Sequence, residues 1–279
     1  MGNSPQSPAL LAAGLGVLLG CGPTDEECAE LADGVRACGP SQLQVPLTQE
    51  DDQAFTVEVT VDGHEGLMLV DTGAEATVVS SSLLSVADQT MTRVGEICIA
   101  DLCIRDEAAY AWDTPFSTDA SGELNGFFGM RLLHHFGLRF EHGRSLTIRR
   151  GGTACRGTPK PLDFSEHGIA RIGAEVDAAS FDQVALDTGS AYSVLSQATA
   201  DQLGDDLGAG AEPASICTVD GCEESGAFIA SVERYCVAGV CAQDVAVKYP
   251  VWDAVGCTYF SRFDLEFDFP SATLWFCDE

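Results

Sequence analysis

Positive charge is what this chain has least of: 14 Lys and Arg against 43 Asp and Glu over 279 residues, a formal net charge of −29. A nucleic-acid backbone is bound by neutralising its phosphates with clustered cations, so nucleic acid is excluded as a partner. The acidity reads first as solubility. A second reading, in which the negative field favours neutral or basic substrates and raises carboxyl pKa values, stands beside it. A membrane-spanning run is missing at the start of the chain: Ala9 to Gly20 is apolar but shorter than the ~20 residues a spanning helix needs. It fits the h-region of a signal peptide instead. Histidine is scarce too. The five His are scattered away from the cysteines, which makes zinc a poor reading of any Cys-x4-Cys spacing, and no metal or organic cofactor is expected.

What the chain does have is a repeat. Leu67-Met-Leu-Val-Asp-Thr-Gly-Ala-Glu-Ala-Thr-Val-Val-Ser80 returns as Val184-Ala-Leu-Asp-Thr-Gly-Ser-Ala-Tyr-Ser-Val-Leu-Ser196. Each copy is an apolar run, Asp-Thr-Gly, a small residue and a second apolar run ending in Ser. That pattern predicts strand, tight turn, strand, with a carboxylate held at the turn where a ligand can reach it. One Asp-Thr-Gly alone would be an ordinary turn; two in matched settings point to duplication. The ends of the halves match as well, since Phe127-Phe-Gly-Met-Arg-Leu-Leu-His-His-Phe-Gly-Leu-Arg-Phe-Glu141 aligns without gaps on Ala254-Val-Gly-Cys-Thr-Tyr-Phe-Ser-Arg-Phe-Asp-Leu-Glu-Phe-Asp268. Phe55 to Val61 alternates at period two, Asp62-Gly63 is a hairpin turn, and Ile169 to Val176 repeats this more loosely. The hydrophobic fraction of 46% supports two real cores, and the length accommodates a signal segment and two lobes of about 100 residues each.

These residues resemble the aspartic peptidases, retropepsin-like and pepsin-like, in which two lobes each give one Asp-Thr-Gly to a shared site. The resemblance implies an all-β, two-lobed acid-protease fold, a pseudo-dimer of retropepsin-like lobes. Asp71 and Asp187 would face one another as the catalytic pair. Two carboxylates about 3 Å apart cannot both ionise, so they share a proton and titrate as a pair. One would act as general base on a water and the other as general acid toward a peptide carbonyl. Gly73 and Gly189 would supply the backbone freedom for the turns, Thr72 and Thr188 would hydrogen-bond across the lobes, and Gly129 and Gly256 would pass close to the Asp loops. The Ser190 hydroxyl, where the first lobe has Ala74, is expected to donate to Asp187 and leave the shared proton on Asp71. The substrate would be a polypeptide held extended in the cleft. The rival readings are a duplicated turn that has lost its chemistry and a binding module holding a peptide or envelope partner uncut. The chain is expected to be monomeric, with lobe pairing between two copies as the alternative.

The lobes also differ. Asp71 to Gly129 is 58 positions and Asp187 to Gly256 is 69, an excess of 11 that falls around Ser215 to Ala227, where the family places its flap. This predicts one flap, from the second lobe, tipped by Val219-Asp220-Gly221 and stiffened by Cys217–Cys222; a stapled surface loop is the plainer alternative.

Twelve cysteines fit an oxidising compartment. Cys98/Cys103 and Cys236/Cys241 share a spacing that places each pair across a hairpin turned at Ala100-Asp101 or Ala238-Gly239. Cys217/Cys222 can do the same, and Cys28/Cys38 would close a small loop. Of the odd set left, Cys155 is paired with Cys277 and Cys257 is taken as buried and free, although the sequence itself leaves this pairing open. Leu18-Leu19-Gly20-Cys21 resembles the bacterial lipobox, which would make Cys21 the lipidated N-terminus and the envelope membrane a partner through that lipid. The n-region lacks Lys and Arg; the Met1-Gly2 start resembles an N-myristoylation site, but Gln6 stands where Ser or Thr is wanted. The lipoprotein is preferred to a simply secreted chain. The organisation expected is therefore signal peptide 1–20, lipidated tether 21–42, first lobe 43–150, linker 151–155 and second lobe 156–279. The linker region carries a basic cluster, Arg149, Arg150, Arg156 and Lys160, read as a solvated strand end, with lobe docking or a membrane-facing role as alternatives.

Overall fold

The structure is a computed structural model that describes residues 28–32, 34–47, 54–112, 116–118, 122–204, 207, 211–218 and 221–278. It is all-β and two-lobed, and each lobe closes into a six-stranded barrel. In the first, Thr56–Val61, His64–Val70, Gly126–Phe128, Thr77–Ser80 and Leu102–Trp112 follow one another round the wall, and Thr90–Ile99 closes it by pairing with both Thr56–Val61 and Leu102–Trp112. In the second, Ala170–Val176, Ala179–Leu186, Ala254–Val255, Ser193–Val194 and Val240–Tyr249 follow the same path, and Gly221–Val237 closes it. Closure leaves few unpaired strand edges. The alternation in Thr56–Val61 does what period two requires, burying Val57, Val59 and Val61. Asp62 and Gly63 take the turn at φ 46° and 87°, values that favour Asp and Gly over β-branched residues.

A six-stranded sheet joins the lobes, in the order Pro159–Pro161, Thr273–Phe276, Asp264–Asp268, Gly137–Glu141, Ser145–Arg149, Gln42–Pro46. Its two central strands pair antiparallel from Gly137↔Asp268 to Glu141↔Asp264, with Arg139 opposite Glu266 in the middle. The gapless alignment makes Arg139 and Glu266 equivalent residues, so this register maps onto itself and the pseudo-two-fold axis runs between them. Phe140 and Phe267, each 0% exposed, meet edge to face at 5.8 Å, and Phe55 stacks on Phe140 at 4.8 Å. Full burial of a side chain of this size stabilises by roughly 1.5–3 kcal/mol, so the seam belongs to the core.

Cys28–Ala32 and Val35–Cys38, expected within a tether, pair as antiparallel strands with Cys28 opposite Cys38 and extend the first lobe by pairing Cys38 with Cys103. Part of the basic cluster ties this segment down rather than being solvated. Arg150 donates to Ala37 O and Gly39 O, and Arg149, 11% exposed, pairs with Glu266 at 3.0 Å. The lobe-docking alternative therefore describes Arg149, whereas Arg150 holds the N-terminal hairpin to the first lobe. Cys28–Cys38, Cys98–Cys103 and Cys236–Cys241 are bonded directly across their ladders. Cys155 is bonded to Cys277, and Cys257 is free and buried. Cys217 and Cys222 face each other in backbone register, but their side chains, like Cys21, lie outside the described residues. No described helix is long and apolar enough to cross a membrane.

Cys155–Cys277 spans 122 residues, and closing so long a loop restricts the unfolded chain strongly. The Cys155→Ser/Cys277→Ser double variant is expected to lose about 2–5 kcal/mol of unfolding free energy in a guanidinium titration.

Candidate active site

Each Asp stands where a strand ends at the lobe interface. His64–Val70 delivers Asp71, whose N–H donates to Phe128 O at 3.1 Å; Ala179–Leu186 delivers Asp187, whose N–H donates to Val255 O at 2.9 Å. The chain then turns back on the carboxylate. Gly73 N and Ala74 N donate to Asp71 Oδ1 at 2.9 and 3.0 Å, and Gly189 N donates to Asp187 Oδ1 at 3.0 Å. An Asp capping its own turn is a local device that Asp-x-Gly sequences favour. Behind each turn, Met130 N donates to Ala74 O and Cys257 N to Ser190 O. Gly129 and Gly256 are needed there, since a Cβ at either would overlap the Ala76 or Tyr192 carbonyl.

The two turns are locked by their threonines. Thr72 N donates to Thr188 Oγ1 at 3.1 Å and Thr188 N to Thr72 Oγ1 at 3.0 Å. Thr72 Oγ1 donates to Leu186 O at 2.7 Å, and Thr188 Oγ1 donates to Val70 O. Both threonines are 0% exposed, so each of these bonds replaces what would otherwise be an unsatisfied buried group. The lock brings the glycines against the opposite acids: a Cβ on Gly73 would overlap the Asp187 carboxyl, and one on Gly189 the Asp71 carboxyl.

Each carboxyl thus lies against the other's turn, and each acts directly on the titration of the other. Both are held above the ordinary aspartate range, chiefly by burial. Asp71 is raised well above it because the charge of Asp187 adds to its burial, against the pull of the Gly73 and Ala74 amides. Asp187, 9% exposed, is raised by burial and pulled down by its bond to Asp71 and by the Gly189 and Ser190 amides. The pair therefore keeps a proton at pH values where an isolated aspartate would not, and the Ser190 hydroxyl does not decide which member holds it. The Ser190 hydroxyl donates to Tyr192 O at 2.8 Å and not to Asp187, a choice made by rotation of its own side chain; Ser190 acts on Asp187 only through its N–H.

The second-lobe hairpin is present, Glu212–Thr218 against Gly221–Val237, closing at Thr218↔Gly221. Val219 and Asp220 lie outside the described residues. The first lobe has only residues 85–89 between the helix Ser81–Leu84 and the strand Thr90–Ile99. Two residues at the site gave no motif. Cys257 donates its thiol to Thr188 O at 3.3 Å, and burial pushes that thiol well up. Asn125 holds Leu67 N at 2.9 Å and steadies the strand that ends in Asp71. Two described groups with metal-ligand proximity, Glu96/Cys98/Cys103 and Cys155/Glu266/Cys277, have their sulfurs in disulfides and offer no thiolate. No protein-family model matches the chain, and no curated protein matches its sequence.

Because both folded-state values are raised, the folded chain binds more protons than the unfolded one above the ordinary aspartate value of 3.8. The stability tied to the protonated pair is complete below that value and lost as pH rises through the folded values, about 1.4 kcal/mol for each pKa unit of elevation. Asp71→Asn is therefore expected to melt higher than the wild type at pH 7, with the gain shrinking toward zero at pH 3.5 in thermal melts.

Proposed function

We propose that this chain is an aspartic-type endopeptidase built on the acid-protease fold, cleaving extended polypeptide in the cleft between two retropepsin-like lobes. The observation that carries the reading is the placing of Asp71 and Asp187: two buried acids, one per lobe, on equivalent turns, each lying against the glycine of the other's turn. A pair sharing one proton offers an ionised carboxylate beside a protonated one. With a water between them, the ionised member takes a water proton as oxygen attacks the peptide carbonyl, and the protonated member gives its proton to the carbonyl oxygen. The resulting tetrahedral diol then collapses: the member now ionised takes the proton of one diol hydroxyl, the proton gained in the first step passes to the leaving amine as the C–N bond breaks, and the pair is left sharing one proton as before. Each transfer uses a group already within hydrogen-bonding reach, for which general acid–base catalysis contributes about 10²–10⁴-fold. The second-lobe hairpin would close over the bound strand and exclude water. Both acids lie in one chain, which favours a monomer over pairing between copies.

We also infer export and a lipid on Cys21. The run Ala9 to Gly20 before it and the disulfides Cys28–Cys38, Cys98–Cys103, Cys155–Cys277 and Cys236–Cys241 support an oxidising compartment.

On a denatured protein between pH 3 and 7, the wild type is expected to produce internal cleavages that a transition-state-mimicking aspartic peptidase inhibitor blocks. Asp71→Asn and Asp187→Asn are each expected to lose at least about 10²–10⁴-fold in kcat; activity persisting in both would sink the mechanism. In cells, Cys21→Ser is expected to move the protein from the membrane to the soluble fraction, and continued sedimentation with membranes would exclude the anchor.

A further inference from the structure

One barrel holds a carboxylate where the other holds a hydrocarbon. The strand Leu102–Trp112 turns Glu107, Ala109 and Ala111 into the first lobe, with Glu107 only 4% exposed. The duplicated strand Val240–Tyr249 carries Val245 at that place, 0% exposed. Strand pairing fixes the equivalence, because Thr77 sits opposite Ala109 and Ser193 opposite Val247, two residues beyond Glu107 and Val245. Burying a carboxyl among apolar side chains is costly unless something uses it.

What uses it is Thr77, 0% exposed. Thr77 Oγ1 donates to Glu107 Oε1 at 3.2 Å and accepts from Gly129 N at 3.4 Å. Gly129 lies against Ala76, Met130 N donates to Ala74 O at 2.8 Å, and Ala74 N donates to Asp71 Oδ1. The carboxylate is the back of a chain of bonds whose front is Asp71. In the second lobe the corresponding hydroxyl, Ser193 Oγ, accepts from Gly256 N at 3.1 Å and has the neutral Thr258 Oγ1 as neighbour at 3.4 Å. A hydroxyl has one hydrogen. With a carboxyl acceptor behind it, Thr77 aims that hydrogen at Glu107 and its lone pair at Gly129; with a hydrocarbon there it is free to turn. The charged groups facing Glu107 are Arg93 from the strand Thr90–Ile99 and Arg131 from the helix Met130–Leu133, and they and the Thr77 bond oppose the upward push of burial on the Glu107 carboxyl. Arg93 itself donates to Asp106 O, and Arg131 pairs with Glu75.

We propose that Glu107 is a positioning residue for the first-lobe turn: it orients the Thr77 hydroxyl, and through it the Gly129 backbone, so that Asp71 stays in register with Asp187. The inference deepens the peptidase reading and rests on it only where turnover is measured.

The full chain is compared with Glu107→Val, which copies the second lobe, and Glu107→Gln, which keeps an acceptor without the charge. By hydrogen exchange and mass spectrometry, peptides covering 72–77 and 128–131 are expected to exchange about tenfold faster in Glu107→Val, while 188–193 is unchanged and Glu107→Gln stays close to the wild type. In turnover, Glu107→Val is expected to lose about tenfold in kcat at unaltered KM, and Glu107→Gln to recover most of it. The thermal midpoint of Glu107→Val is expected to equal or exceed that of the wild type. Unchanged exchange in Glu107→Val overturns the inference. So does faster exchange in both lobes with a fallen midpoint, or an active enzyme whose Glu107→Val kcat is within twofold of the wild type. A wild-type protein that cleaves nothing removes the peptidase reading and leaves the exchange result to decide this one.

Discussion

Two negative charges cannot share one buried site at hydrogen-bonding distance, so Asp71 and Asp187 must hold a proton between them or be driven apart. The structure resists the second outcome at every level. The crossed Thr72 and Thr188 bonds fix the turns to each other. The glycines leave no room for any side chain between turn and opposing carboxyl. Beneath them, the interlobe sheet pairs the lobes about Arg139 and Glu266 and packs Phe140 on Phe267. The rigidity is of a kind that keeps an unfavourable pair together, and sites that hold such pairs are where function concentrates.

Around that symmetric centre the halves have diverged. The first lobe supports its turn with an ionisable group, Glu107, and the second with hydroxyls and Val245. Among the described residues the hairpin Glu212–Thr218/Gly221–Val237 belongs to the second lobe, while the first carries a short hairpin elsewhere, Phe116–Thr118 against Gly122–Leu124. A duplicated frame with unlike surroundings is what general acid–base chemistry needs, since the two acids must take different roles. Burial raises both acids, while the Ala74/Ser190 difference contributes nothing at the carboxylate because the Ser190 hydroxyl is engaged by Tyr192 O.

The legible features were local or repeated. Asp-Thr-Gly at a strand end, the Asp62-Gly63 turn and the Cys-x4-Cys hairpins each fix their geometry within a few residues, and the gapless match of 127–141 on 254–268 carried the seam. What escaped depends on partners far along the chain. Cys28–Ala32 and Val35–Cys38 are paired strands because Cys38 finds Cys103 and Arg150 reaches Ala37 and Gly39. Arg149 ceases to be a solvated charge because Glu266, over 100 residues away, is buried beside it. Glu107 looks like any polar residue in a strand until the barrel closes and turns it inward. Ser190 was misread for the opposite reason: its choice between its own carboxylate neighbour and a carbonyl two residues on is set by one side-chain rotation, which residue type does not dictate.

The central claim, one proton shared by two acids, is tested most directly by ¹³C NMR titration of the Asp71 and Asp187 carboxyl carbons. The account predicts two coupled steps belonging to the pair, both above the ordinary aspartate value of 3.8, giving way to a single shifted step when Asp71 is replaced by Asn. Two independent titrations near 3.8, unmoved by that replacement, would contradict it.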